Sequence, residues 1–178
     1  RLTGDLIHGI QAWVALPDGQ EEVEPAFAHY GIGDLPMIKD KGLSMRLVAG
    51  RGFGAQSVKT HSPMFYAHAE MAAGTKLELP VDYAESAAYV VTGRVKTEGQ
   101  ELAAAQMAVF STGAAPVIEA LETSTVMLLG GDPVGQRFID WNFVSSSKER
   151  IEQAKADYTS GRLKLPDLDN EEFTPLPK

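Results

Sequence analysis

From Leu43 to Leu129 the chain is a succession of short segments rich in β-branched and aromatic residues, with turn residues between them. They are Leu43–Ala49, Met64–Met71, Ala87–Val91, Val95–Thr97, Met107–Phe110, Val117–Ala120 and Thr125–Leu129. Many short strands at close spacing fold as a sandwich or a barrel. Met64–Met71 shows the pattern in detail. Side chains alternate across a strand, so Phe65, Ala67, Ala69 and Met71 read as the buried face and Tyr66, His68 and Glu70 as the outer one. An apolar fraction of 44% over 178 residues is enough for a real core, in one sizeable domain or one domain plus part of a second.

The flanks differ from the middle. Ile7–Leu16 alternates as a strand does, Pro17-Asp18-Gly19 is a turn, and Pro25–Tyr30 reads as a second extended piece. A few strands cannot stand alone in water, so this opening must pair with something. Residues 31–42 carry Gly, Pro and charge and read as a linker. Beyond residue 144 the period changes: Ser146 and Glu149 have the S-x-x-E spacing of a capping box. Ile151, Ala154 and Tyr158 then recur at helical spacing, and Gly161 is placed to end the helix. The tail 162–178 holds Pro166, Pro175, Pro177 and an acidic middle, Asp167–Glu172, and reads as extended and solvated.

The charge narrows the function. A net charge of −8 argues against direct nucleic-acid binding, which needs clustered Lys and Arg. Without cysteine there is no thiolate nucleophile and no zinc–cysteine site. No apolar run reaches membrane-span length and no signal peptide opens the chain, so a cytoplasmic protein is expected. The chain starts at Arg1 and is strand-like within a few residues, which reads as a fragment.

The stretch Gly74–Gly93 carries the sharper information. It reads G-x5-Pro80-x-Asp82-x3-Ser86-x6-Gly93, and it resembles the first motif of the cupins, G-x5-H-x-H-x3,4-E-x6-G. Both framing glycines match, while Pro80, Asp82 and Ser86 stand at the ligand positions. The second cupin motif, P-x-G-x-x-H, aligns with Ser111-Thr-Gly113-Ala-Ala-Pro116, where Pro116 replaces the His. The fold expected from this resemblance is all-β, a cupin-type jelly-roll barrel that has lost its metal. Longer segments resemble the pirin family: His8-Gly-Ile-Gln-Ala-Trp-Val-Ala-Leu-Pro17, Thr60-His-Ser-Pro-Met64, Leu129-Gly-Gly-Asp-Pro133, Trp141–Lys155 and Phe173-Thr-Pro-Leu-Pro177.

Pirins are two-cupin proteins whose N-terminal barrel holds a non-haem iron through three His and one Glu, upstream of the segment that here starts at His8. The resemblance therefore implies a division of the chain. Residues 1–30 are the last strands of the N-terminal barrel, 31–42 a linker, 43–144 the C-terminal barrel, 145–161 a helix and 162–178 an extended tail. It implies iron-dependent, quercetin 2,3-dioxygenase-like activity on a flavonol for the complete protein. The alternative is a redox-linked regulatory binding module that acts through protein partners. Under the first reading this chain is the partner barrel, with no catalytic, cofactor or metal residue of its own and no activity alone. The resemblance places His8 and Gln11 near the missing metal pocket, in a supporting role.

Other patterns weigh less. His68-Ala-Glu70 could chelate from one strand face, but a metal needs a third ligand, and a solvent-facing polar row is the simpler reading. Gly50-Arg-Gly-Phe-Gly54 mimics a phosphate-binding turn, yet strand chemistry and not a helix follows it. His61-Ser62 suggests acyl transfer only by adjacency, which supplies neither a held base nor its orienting group. Ala87, Ala88, Val90 and Val91 speak against a sugar-binding interior.

Overall fold

A computed structural model describes residues 9–163 and 172–177. The chain divides into two compact units, Glu22–Pro133 and a second built from Arg1–Glu21 with Val134–Lys178.

The Glu22–Pro133 unit is entirely β. In chain order its strands are β1 (Met37–Asp40), β2 (Leu43–Gly52), β3 (Ala55–Gln56), β4 (Met64–Met71), β5 (Lys76–Glu78), β6 (Glu85–Thr92), β7 (Arg94–Thr97), β8 (Gln100–Ala103), β9 (Met107–Phe110), β10 (Val117–Ala120) and β11 (Ser124–Gly131). One sheet runs β1-β2-β4-β11-β6-β9, with β3 hairpinned onto β2; the other runs β5-β10-β7-β8. This is the cupin-type jelly roll expected from the sequence.

The core lies between the two sheets. Met45 and Leu47 of β2, Phe65, Ala67, Ala69 and Met71 of β4, Ala88 and Val90 of β6, and Val126 and Leu128 of β11 face Leu77, Val95, Ile118 and Ala120 of the smaller sheet. The inward face of β4 is thus the one its alternation indicates. Two bulges, between Leu47 and Ala49 on β2 and between Thr125 and Val126 in the β11–β6 register, add local bend.

The framing glycine Gly93 has a steric reason. It has φ 81°, and a Cβ there would lie 2.5 Å from the Thr123 carbonyl oxygen and 2.8 Å from Ser124 Cα. The turn is closed by Ser124 Oγ, which accepts from Arg94 N–H at 3.1 Å and has the Glu122 carbonyl at 2.8 Å and the Arg94 carbonyl at 3.0 Å as acceptors for its one proton.

The second unit is held by one arginine. Arg137, whose side chain is 8% exposed, donates through Nη2 to the Leu16 carbonyl at 2.9 Å and to Asp18 Oδ1 at 2.8 Å. Its Nε lies 3.0 Å from Glu21 Oε1. Glu21 in turn accepts from Ser145 Oγ and from Ser146 N–H, both at 2.8 Å. Residues 9–21 are thereby tied to the hairpin β12 (Phe138–Asp140) and β13 (Phe143–Ser145) and to the start of helix α1 (Lys148–Thr159). Trp141, Phe143 and Tyr158 form an edge-to-face cluster, and Phe173 of the tail joins it at 6.0 Å from Tyr158.

Several expectations need correction. Residues 9–16 and 24–30 join no sheet, because no described strand offers them a ladder; His8 lies outside the described residues. The stretch read as a linker contains β1, which the turn at Lys41–Gly42 folds back onto β2. The short strands β5 and β8 and the β12–β13 hairpin escaped the sequence reading, and the hairpin falls in the helical unit.

The helix cap is Ser147, not Ser146. Its Oγ accepts from Arg150 N–H at 3.2 Å and donates to Glu149 Oε2 at 2.8 Å. Three consecutive serines leave the cap position open to sequence reasoning, and Glu21 decides it by engaging Ser145 and Ser146. Gly161 ends the helix as expected, with φ 72°. Asp167–Glu171 of the acidic tail lie outside the described residues.

Gly93→Ala is expected to destabilise the chain by about 2–4 kcal/mol in urea unfolding, from the left-handed backbone and the clash together. Glu21 gives a pH signature. Its carboxyl is held below the ordinary value of 4.5, first by the Ser145 hydroxyl, with the Ser146 N–H and Arg137 adding and burial opposing. A depressed carboxylate contributes stability above its unfolded pKa and loses it as pH falls through the folded one. The thermal midpoint should therefore fall less below about pH 4.5 in Glu21→Gln than in the parent. The variant should also be less stable near neutral pH by about 2 kcal/mol.

Candidate functional site

A cavity of ≈ 760 Å³ opens at the barrel end where β2 finishes and β4 and β6 begin. The β2–β3 hairpin contributes Arg51, Phe53 and Gln56; the loop from β5 to β6 contributes Pro80, Asp82 and Tyr83; Asp132 follows β11. Antiparallel pairing of β2, β4, β11 and β6 brings these distant residues to one mouth.

The hairpin tip is held in a demanding conformation. Phe53 has φ 53°, the left-handed region that a non-glycine residue adopts only when its surroundings enforce it. The enforcing contact is aromatic: Phe53 meets the buried Phe65 edge-on at 5.5 Å, and Phe65 meets Tyr83 at 5.4 Å. Tyr83 ties the two loops together, since its hydroxyl donates to the Arg51 carbonyl at 2.6 Å. Burial pushes the Tyr83 phenol above its ordinary value of 10.0, Arg51 opposes this, and Asp132 and Asp82 add to it. The phenol therefore stays protonated and keeps its donor role. Asp132 Oδ1 accepts from Ala84 N–H at 3.2 Å, which fixes the approach to β6.

The four degenerate motif positions separate. Pro80 and Asp82 line the cavity; Ser86, on β6, and the buried Pro116 do not. A proline side chain has no donor atom for a metal, a neutral serine hydroxyl is a poor one, and Asp82 alone supplies a carboxylate. A mononuclear oxygenase centre wants two imidazoles and a carboxylate on converging positions. These residues do not fit that group.

The fallback chelate on β4 fares no better. His68 sits opposite Arg46 on one side and Met127 on the other, and Glu70 sits opposite Ser44 and Thr125. No third imidazole or carboxylate is brought to the pair by the register, and the Arg46 guanidinium is an unsuitable neighbour for a cation. Among the described residues no cluster of three or more His, Cys, Asp or Glu could hold a metal ion.

The remaining patterns resolve locally. His61 is exposed and Ser62 buried, so the two are differently placed despite adjacency. Gly50–Gly54 is the end of β2 and its hairpin, where Gly50 N–H donates to the Val58 carbonyl at 2.8 Å. Gln11 is exposed and lines no described cavity; one of ≈ 330 Å³ in its unit is bordered by Trp13–Leu16, Glu21 and Arg137. Sequence reasoning missed Tyr83, Asp132 and Arg51. Asp132 stood inside a quoted motif, but only the fold brings it beside Asp82.

Among the described residues no helix is long and apolar enough to cross a membrane. With Tyr83→Phe, loss of the bond to the Arg51 carbonyl should cost about 1 kcal/mol in urea unfolding, with the midpoint shifted and the slope unchanged.

Comparison with known proteins gives a consistent family. The profile of the pirin C-terminal cupin domain matches residues 66–164. A pirin-like protein of Caulobacter vibrioides is 58% identical over 98% of this chain and 62% of its own length. A Pseudomonas aeruginosa protein named provisionally as a quercetin 2,3-dioxygenase is 31% identical over 91% of this chain and 52% of its own. The crystal structure of a quercetin 2,3-dioxygenase from Acinetobacter baumannii superposes with a TM-score of 0.77 at 29% identity, over 93% of this chain and 57% of that one. The chain thus spans less than two thirds of the relatives it matches.

Proposed function

The chain belongs to the pirin family, and we propose that it is the metal-free partner barrel of a two-barrel, quercetin 2,3-dioxygenase-like cupin. The observation that carries this reading is the conjunction of family and site. The relatives include proteins with quercetin 2,3-dioxygenase in their names, while Pro80, Ser86 and Pro116 occupy ligand positions of this barrel. In the complete protein a non-haem iron held by the other barrel would supply the oxygen chemistry. Its substrate would be a flavonol and its compartment the cytoplasm. No step of that chemistry is assigned to residues of this chain. His8 and Gln11 would support the metal pocket from the segment shared with the first barrel.

The exposed apolar residues support a missing partner surface. In one unit Ile10, Trp13 and Val14 are exposed on a segment that joins no sheet; in the other Phe27 is 92% exposed and Ile32 also lies open. Exposed apolar side chains that cluster mark interaction sites, and each unit carries its own. A regulatory partner could use either, so the two readings part on chemistry alone.

With quercetin and ferrous iron, this chain should consume no dioxygen above the protein-free rate and should retain no transition metal on elemental analysis. The complete protein should consume dioxygen and retain the metal. Turnover or stoichiometric metal in the isolated chain would sink the partner-barrel reading. A metal-loaded complete protein inert toward flavonols, yet binding a protein partner according to metal oxidation state, would favour the regulatory one.

A further inference from the structure

The partner-barrel reading leaves the cavity at the mouth of the Glu22–Pro133 barrel without a task. Around one volume of ≈ 760 Å³ stand a guanidinium (Arg51), an amide (Gln56), two carboxylates (Asp82 and Asp132) and the rings of Phe53 and Tyr83. Among the described residues the side chains of Arg51, Gln56 and Asp82 engage in no hydrogen bond or ion pair with the chain. The walls are nonetheless fixed: the Tyr83 hydroxyl ties one loop to the Arg51 carbonyl, Asp132 caps Ala84, and Phe53 is locked against Phe65. Convergent polar groups beside aromatic rings in one concavity can orient a small molecule.

We infer that this cavity binds a neutral, ring-shaped, polyhydroxylated small molecule, with its hydroxyls between Arg51 and the carboxylates of Asp82 and Asp132 and its ring against Phe53. The carboxylates only accept hydrogen bonds and the guanidinium only donates them. A hydroxyl does both, so one kind of ligand group satisfies all three without stranding a charge. An anion would meet two carboxylates against one guanidinium, in a chain of net charge −8. A cation would meet Arg51. The apolar strand positions that argue against a sugar-binding interior do not bear on this site, because its polar groups come from loops at the mouth. The inference goes beyond the oxygenase reading and does not rest on it.

The chemistry could come from a saturated polyol or from a polyphenol, and the test separates them. The 178-residue chain is titrated with myo-inositol, D-glucose and catechol in separate arms, with gluconate and glycine as charged controls, and followed by backbone amide NMR. Saturable shifts confined to residues 51–56 and 82–84 are expected in at least one polyhydroxylated arm. Affinity should drop about tenfold in both Asp82→Ala and Arg51→Ala. Both residues are exposed, and unchanged amide positions elsewhere will verify folding. Inositol or glucose binding without catechol identifies a sugar-like ligand, and the reverse a polyphenol. Silence in all three arms overturns the inference. So does equal binding of gluconate or glycine, or affinity that survives both substitutions.

Discussion

The buried ring of Phe65 organises one end of the barrel. It meets Phe53 at 5.5 Å and Tyr83 at 5.4 Å, so both loops of the mouth pack onto the same core residue. It also dictates what stands across from it. A Cβ at Gly130 would press into the Phe65 ring and lie 2.7 Å from the Glu85 carbonyl, so β11 can pass only as glycine. Phe53, Phe65 and Tyr83 support the mouth with rings that offer a metal none of the imidazoles a mononuclear oxygenase centre needs. Of the four motif positions, Pro80 and Asp82 line the cavity at that mouth, and Ser86 and Pro116 do not.

The other unit depends on a charge network instead. Its buried guanidinium, Arg137, reaches a backbone carbonyl and two carboxylates that lie far away in sequence. Burial of Arg137 makes this network costly to break at Glu21, whose removal leaves the guanidinium short of a partner, whereas Asp18 is exposed. Glu21 passes the constraint on to Ser145 and Ser146, next to the cap of α1. A segment that forms no sheet is in this way seated by side chains alone.

Much of the fold was legible because strand alternation is a local property. The inward face of β4 follows from Phe65, Ala67, Ala69 and Met71 recurring every second residue, whatever the neighbours are. β5 and β8 were not legible: each is a brief run with little apolar signal, made a strand by pairing with β10 or β7. The cap at Ser147 was missed for a similar reason, because local spacing favours Ser146 and a distant carboxylate overrides it. At the site, Pro80 and Asp82 were readable from motif spacing. Arg51 and Asp132 were not, because they come from other loops, and Tyr83, though next to Asp82, holds no motif position.

By itself the sequence determined what Pro80 and Pro116 can offer. A proline side chain has no donor atom for a metal in any fold, which is plain before any coordinates. It also determined the all-β class, through alternation and turn chemistry that act within a few residues. Only the tertiary structure decided what lines the mouth. Antiparallel pairing carries the end of β2, the β5–β6 loop and the exit of β11 to one place, and proximity of residues 51, 82 and 132 is set by register rather than by sequence distance.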